Sequence, residues 1–144
     1  MEIRQMTLQD LEELKPSLLS NYDNFWNYNI FKEELQNQNS KYFIATENSQ
    51  ILGFAGIWNA VYDMHITNIV VRKDLRKCGI GSKLLEKLIE VSKAHKAETL
   101  TLEVNCRNIP AIKLYEKFGF SIAGKRQKYY NNVDDALIMT IYFK

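Results

Sequence analysis

Arg76-Lys77-Cys78-Gly79-Ile80-Gly81-Ser82-Lys83 is the stretch from which the fold can be read outward. Upstream, His65 to Val71 is rich in β-branched residues and reads as a strand. Downstream, Gly79 to His95 sets Ile80, Leu84, Leu88 and Val91 on one stripe of an amphipathic helix. The two glycines let the backbone turn tightly and let a ligand approach its amides closely. A helix that starts there offers unpaired N–H groups and the positive end of its dipole, which suits phosphate oxygens. Arg76, Lys77 and Lys83 add positive charge. A lone Gly-x-Gly more often only shapes a helix start; the basic residues and the strand-to-helix setting tip the reading towards a pyrophosphate cradle. A Rossmann fingerprint needs glycine where Leu84 stands, and a P-loop needs Gly-Lys-Ser/Thr in that order, so neither applies.

Before this stretch, Glu2 to Met6 alternates weakly as a short strand, and Thr7 with Asp10 forms an acidic version of the capping box. Leu8, Leu11, Leu14 and Leu18 then follow at helical spacing, predicting a helix to Leu19, and a second helix covers Asn29 to Gln36. Lys41 to Thr46 and Ile51 to Trp58 read as strands joined by a turn at Asn48-Ser49. After it, Thr99 to Val104 is a strand with Leu100, Leu102 and Val104 on one face. Asn108 can cap a helix to Phe118, with Pro110 in its first turn and Gly119 as its stop. Phe120 to Gly124 and Ala136 to Tyr142 close the chain as two strands, antiparallel to each other, with Lys125 to Tyr130 as a loop between them. The order predicts a mixed α/β sheet with helices on its faces.

At 144 residues the chain fits one domain, 1–144, and 46% hydrophobic with 25% charged residues is ordinary for a folded globule. A net charge of +2 falls short of domains that coat nucleic acid, so sequence-specific nucleic-acid binding is not expected. No apolar run reaches membrane-span length, and Glu2, Arg4, Gln5, Gln9 and Asp10 interrupt any secretory leader. Cys78 and Cys106 make neither a disulfide framework nor a metal site. The expectation is a reduced, cytoplasmic protein that holds no metal.

Arg76-x-x-Gly79-x-Gly81 after Asn68-Ile69-Val70-Val71 resembles the coenzyme-A motif of the GNAT acetyltransferase superfamily. Leu102-Glu103-Val104, Asn108, Ala111, Leu114-Tyr115-Glu116 and Phe118-Gly119-Phe120 resemble its next two motifs in order and spacing. Tyr129-Tyr130 and Asp135 to Met139 are similar to the C-terminal signature of the RimI-type ribosomal-protein-alanine N-acetyltransferases; Phe25-Trp26, Phe31 and Glu34-Leu35 match more loosely. The resemblance implies a central, mostly antiparallel, splayed sheet of about seven strands flanked by about four helices. It also implies acetyl-CoA as co-substrate. Its pyrophosphate would lie on the amides of Lys77, Cys78, Gly79, Ile80, Gly81 and Ser82 beside Arg76. Its pantetheine arm would lie along Ile69, Val70 and Val71, where two strands splay with help from a bulge, and Asn108 would touch it as well.

From periodicity alone, Glu103 reads as a carboxylate on a solvated sheet face and Tyr115 as a core aromatic with its hydroxyl at the surface. The resemblance makes Glu103 the proton acceptor and Tyr115 the acid for the departing thiolate. An α-amine of pKa about 8 needs only a modest base, direct or through water, and a thiol of pKa about 8.5 is a moderate leaving group. The implied reaction is direct attack of the amine on the thioester. Cys106 is the competing nucleophile, with no evident partner in His65 or His95.

The resemblance further implies a protein or peptide N-terminus as acceptor, with Tyr129 and Tyr130 lining its groove; it suggests the N-terminal alanine of a small-subunit ribosomal protein, and a relaxed specificity for protein N-termini is equally physical. Basic residues beside those tyrosines also fit RNA contact. Asn105 in place of arginine, Asp63 in place of glutamate and the proline-free turn Arg72-Lys73-Asp74 depart from the branch and bear on peptide choice. The alternatives are acetylation of a small amine and, in a different class, a non-catalytic acetyl-CoA sensor. Retention of both Glu103 and Tyr115 speaks against the sensor.

Overall fold

The computed structural model describes residues 1–17, 28–76, 78–130 and 134–143. Seven strands form one sheet: β1 (Glu2–Gln5), β2 (Ser40–Glu47), β3 (Gln50–Ala60), β4 (Asp63–Val71), β5 (Thr99–Asn105), β6 (Ser121–Tyr130) and β7 (Asp134–Tyr142), in spatial order β1-β2-β3-β4-β5-β7-β6. Every neighbouring pair is antiparallel except β4 with β5. Among the described residues four helices accompany the sheet: α1 (Leu8–Leu14), α2 (Tyr28–Gln36), α3 (Ile80–Ala94) and α4 (Ile109–Lys117). The parallel pair is the one joined by a helix, since a hairpin cannot return a strand in the same direction. The predicted mixed architecture of about seven strands and four helices is the one observed.

Two buried layers explain why β2 and β3 read as continuous apolar runs. Tyr42, Ile44 and Phe54 point towards Leu11, Leu14 and Phe31 of α1 and α2. Their neighbours Phe43, Ala45, Ala55 and Ile57 point the other way, onto Leu84, Leu85 and Leu88 of α3, with Leu100, Leu102, Val104 and Ile112 in the same cluster. The sheet therefore has an α1/α2 face and an α3/α4 face. At the β2–β3 turn, Asn48 and Ser49 both take positive φ, 53° and 66°, as a two-residue hairpin with right-handed strand twist requires.

Two expectations need correction. The first helix stops at Leu14 and continues only as a 3₁₀ turn, Lys15–Ser17, because Pro16 has no N–H to donate to the Glu12 carbonyl; Leu18 and Leu19 lie outside the described residues. Lys125 to Tyr130 is not a loop but the second half of β6, paired with β7 through Lys125↔Leu137, Arg126↔Ala136 and Tyr130↔Asp134. The free backbone edge of β7 captures these polar residues, and basic side chains are normal on an edge strand.

The N-terminal cap forms as predicted: the Asp10 N–H donates to Thr7 Oγ1 at 3.2 Å and the Thr7 N–H donates to Asp10 Oδ2 at 2.7 Å. Arg4 grips the same carboxylate with both terminal nitrogens, at 2.8 and 2.9 Å. Asp10 is buried, yet its carboxyl sits below the ordinary 3.8, because the Arg4 hydrogen bonds lead, Thr7 adds to them, and burial only partly opposes. Stability from a depressed carboxyl is complete above its unfolded value and is lost as pH falls through the folded one. Asp10→Asn is expected to cost about 1–2 kcal/mol at pH 7. In denaturant melts, its deficit against the parent should close as pH drops below 3.8.

Candidate active site

β4 and β5 pair over Asp63↔Thr99, Met64↔Leu100 and His65↔Thr101, and no further row follows among the described residues. β5 continues to Asn105 with only β7 at its side. β4 is the fourth of seven strands, but of its residues only Met64 is buried; His65 and Thr67 are exposed and Ile66 and Asn68 to Val71 half-buried. A central strand with so much exposed apolar surface borders an opening. β3 explains the divergence: it pairs Ile57 with Ile66 and Gly56 with Asn68, so Thr67 and Asn68 together oppose Gly56. That extra residue is a β-bulge, which bends and twists the strand that carries it.

The opening runs up to the glycine turn. Gly79 takes φ +82°, a left-handed conformation that a side chain would strain, and caps α3 without any side-chain hydrogen bond. The first-turn amides of a 15-residue helix are thus left to solvent or a ligand. A Cβ on Gly79 would meet nothing within 4 Å, and one on Gly81 only a Val71 methyl at 3.7 Å, so the approach is open. Arg76 and Cys78 are exposed, Ser82 is half-buried, and Ile80 turns its side chain into the α3 core and has only its backbone to offer. Arg72 is engaged with Asp74 at 2.7 Å. Lys77 lies outside the described residues.

On β5, Leu100, Leu102 and Val104 are buried towards α3, which turns Thr101, Glu103 and Asn105 to the α1/α2 face. Glu103 lies two residues beyond the last paired row, across the opening from the bulge at Thr67. Its side chain keeps 30% of its surface, and Oε1 stands 3.5 Å from Nε of Arg126, which reaches over the short Ala136. Beside it, Asn105 Nδ2 donates to Asp134 Oδ2 at 3.1 Å, and Arg107 approaches the other Asp134 oxygen at 3.1 Å. Asn105 is thereby tied to the start of β7.

Tyr115 belongs to the opposite face. It is half-buried against the α3/α4 cluster, its ring edge-on to Phe120 at 5.9 Å between centroids. Asn108 caps α4 by accepting from the Ala111 N–H at 3.3 Å, and it is exposed. Glu103 and Tyr115 therefore lie on opposite faces of the sheet. Tyr129 and Tyr130 end β6, and their side chains lie outside what is described. Cys106 is half-buried, with its N–H donating to the Asp135 carbonyl at 2.9 Å. His95 Nε2 lies 3.1 Å from Lys41 Nζ and His65 lies beside Trp58, so neither histidine is bonded to Cys106. Sequence reasoning missed the Arg126 contact, because it treated that residue as part of a loop. The bulge implied by the resemblance falls at Thr67-Asn68, a position that the sequence reasoning did not assign.

Residues 4–120 match the Acetyltransferase (GNAT) family. The chain is 37% identical over 110 residues to the ribosomal protein bS18-alanine N-acetyltransferase of Escherichia coli (strain K12), covering 73% of this chain and 74% of that one. It is 30% identical over 155 residues to an N-alpha-acetyltransferase of Sulfolobus acidocaldarius, covering 96% and 90%. The crystal structure of the ribosomal-protein-S18-alanine N-acetyltransferase from Escherichia coli aligns with a TM-score of 0.89 at 30% identity, over 98% of this chain and 92% of that one. With an opened β4–β5 pair leading to an uncapped glycine turn, and with these likenesses along its length, the chain belongs to the GNAT family of N-acetyltransferases.

Proposed function

We propose that this chain acetylates the N-terminal α-amino group of a protein, foremost the N-terminal alanine of a small-subunit ribosomal protein. The observation that carries the reading is the open flank of β4, a strand in mid-sheet whose free backbone edge runs to the bare N-terminus of α3. Relatives that act on protein N-termini, among them bS18-alanine enzymes, support the choice of acceptor.

GNAT acetyltransferases use acetyl-CoA, which when bound supplies an acetyl group activated as a thioester. The residues present fit it. The amides of Cys78 to Ser82, with Arg76 and Lys77 just before them in sequence, would hold the pyrophosphate. Ile69, Val70 and Val71 would pair through their backbone with the pantetheine arm as an added strand, and Asn108 would touch it from the start of α4.

Glu103 is the proposed base. It faces the α1/α2 side, from which an acceptor peptide can enter, and takes the proton of the α-ammonium directly or through a water. The arriving ammonium is a cation, so it can take the place that Arg126 holds beside the carboxylate. Tyr115, on the other side of β5, supplies a proton to the departing thiolate. Direct transfer leaves Cys106 without a task, in keeping with its lack of a histidine partner. Tyr129 and Tyr130, on the edge strand that also carries Arg126, are the proposed lining of the peptide groove.

The test is release of free thiol from acetyl-CoA against short peptides that differ in their first residue, beside a blocked-amine peptide and common small amines. Turnover is expected with Ala-starting peptides and none with the blocked one. Turnover confined to small amines would move the activity to small-molecule acetylation, and coenzyme binding without any turnover would point to a sensor.

A further inference from the structure

One row of the sheet, Tyr42↔Gly56↔Asn68, crosses β2, β3 and β4 at the bulge. Tyr42 is 1% exposed and packs its ring 5.1 Å from Phe31. Burial pushes its phenol far above the ordinary 10, so the hydroxyl stays protonated. The ring lies over Gly56: a Cβ there would fall 2.3 Å from Tyr42 Cε2 and 2.5 Å from Thr67 Oγ1. Crossing β3 in this way brings the Tyr42 hydroxyl to the bulge itself. It lies 3.3 Å from Thr67 Oγ1 and accepts from Asn68 Nδ2 at 3.3 Å. Thr67 and Asn68 are consecutive, and a regular pleat would send them to opposite faces. Here one buried hydroxyl holds both on the same face.

We propose that Tyr42 is a positioning residue for the coenzyme: its hydroxyl pins the Thr67–Asn68 bulge, and the bulge keeps β4 parted from β5. The inference rests on the reading above that acetyl-CoA occupies that opening. Gly56 supplies the space, Tyr42 the pin, and Thr67 and Asn68 the two polar ends it holds. Without the hydroxyl the extra residue of β4 is free to shift its pairing, which would re-aim every amide from Ile69 to Val71.

Calorimetric titration with coenzyme A tests this without turnover. Tyr42→Phe keeps the ring and removes only the hydroxyl. It should melt cooperatively and bind coenzyme A about tenfold more weakly, the scale of a lost hydrogen bond. Amide exchange along residues 66 to 70 should quicken in the same variant. Tyr142→Phe, on an exposed tyrosine, should bind as the parent does. If Tyr42→Phe fails to fold, Thr67→Val removes one of the pinned groups from an exposed position and should also weaken binding. Parental affinity in a folded Tyr42→Phe, or in Thr67→Val where that variant carries the test, would overturn the proposal. A parent protein that does not bind coenzyme A would overturn the reading of the opening, and the pin with it.

Discussion

Glu103→Gln is expected to lower kcat with an Ala-starting peptide by roughly 10²–10⁴-fold, the usual contribution of a positioned proton acceptor. The variant isolates chemistry from structure unusually well. Glutamine keeps the length of the side chain, and its carbonyl oxygen can still accept from Arg126, now 3.5 Å from the carboxylate. Glu103 faces the half-open side of β5 and not the Leu100–Leu102–Val104 core, so stability should shift by no more than about 0.5 kcal/mol. The pH profile gives the second readout. An α-amine with a pKa of about 8 is mostly protonated at neutral pH and loses the proton unaided in more alkaline solution. The deficit should therefore be greatest near neutrality and shrink as pH passes that value, and the acidic limb of the parent's profile should be lost. A deficit that stays constant with pH, or an unchanged acidic limb, would remove Glu103 from the role of base and leave it as a partner of Arg126.

The parts of this site that lie within one element could be read from the chain alone. Gly79, Gly81 and the apolar stripe from Ile80 to Val91 fix a helix start on their own, and the alternation at Leu100, Leu102 and Val104 fixes which way Glu103 points. What could not be read depends on rows that cross strands. The resemblance implied a bulge but not its place: it falls where Gly56 and Tyr42, 14 positions apart in sequence, meet Thr67 and Asn68 in one row, and no periodicity within β4 marks that place. Arg126 reaches Glu103 only because β7 lies between β5 and β6 and places the short Ala136 under its side chain. Lys125 to Tyr130 misled for a related reason: polar composition marks solvent exposure, and an edge strand is as exposed as a loop. Leucine spacing alone does not mark the end of α1; the missing N–H of Pro16 does.

Gly81→Ala should separate a phosphate cradle from a mere helix start, because the two readings predict different outcomes for one methyl group. Gly81 lies in the first turn of α3 with no positive φ, and a Cβ there would make only ordinary contact with Val71 at 3.7 Å. The fold accepts alanine at this place, and helix propensity favours it by up to about 1 kcal/mol, so the melting temperature should hold or rise. Coenzyme A is a different matter. A pyrophosphate seated on the amides of Cys78 to Ser82 needs the backbone bare at the point of closest approach, and a methyl group there would push it off the dipole end of the helix. Affinity for coenzyme A is expected to fall by about 10- to 100-fold, or roughly 1.4–2.8 kcal/mol, while stability stays level or improves. Opposite signs in the two measurements would mean that Gly81 serves the ligand at the expense of the helix. Unchanged affinity would mean that the glycine only shapes the turn, and the pyrophosphate would then have to be held elsewhere along α3.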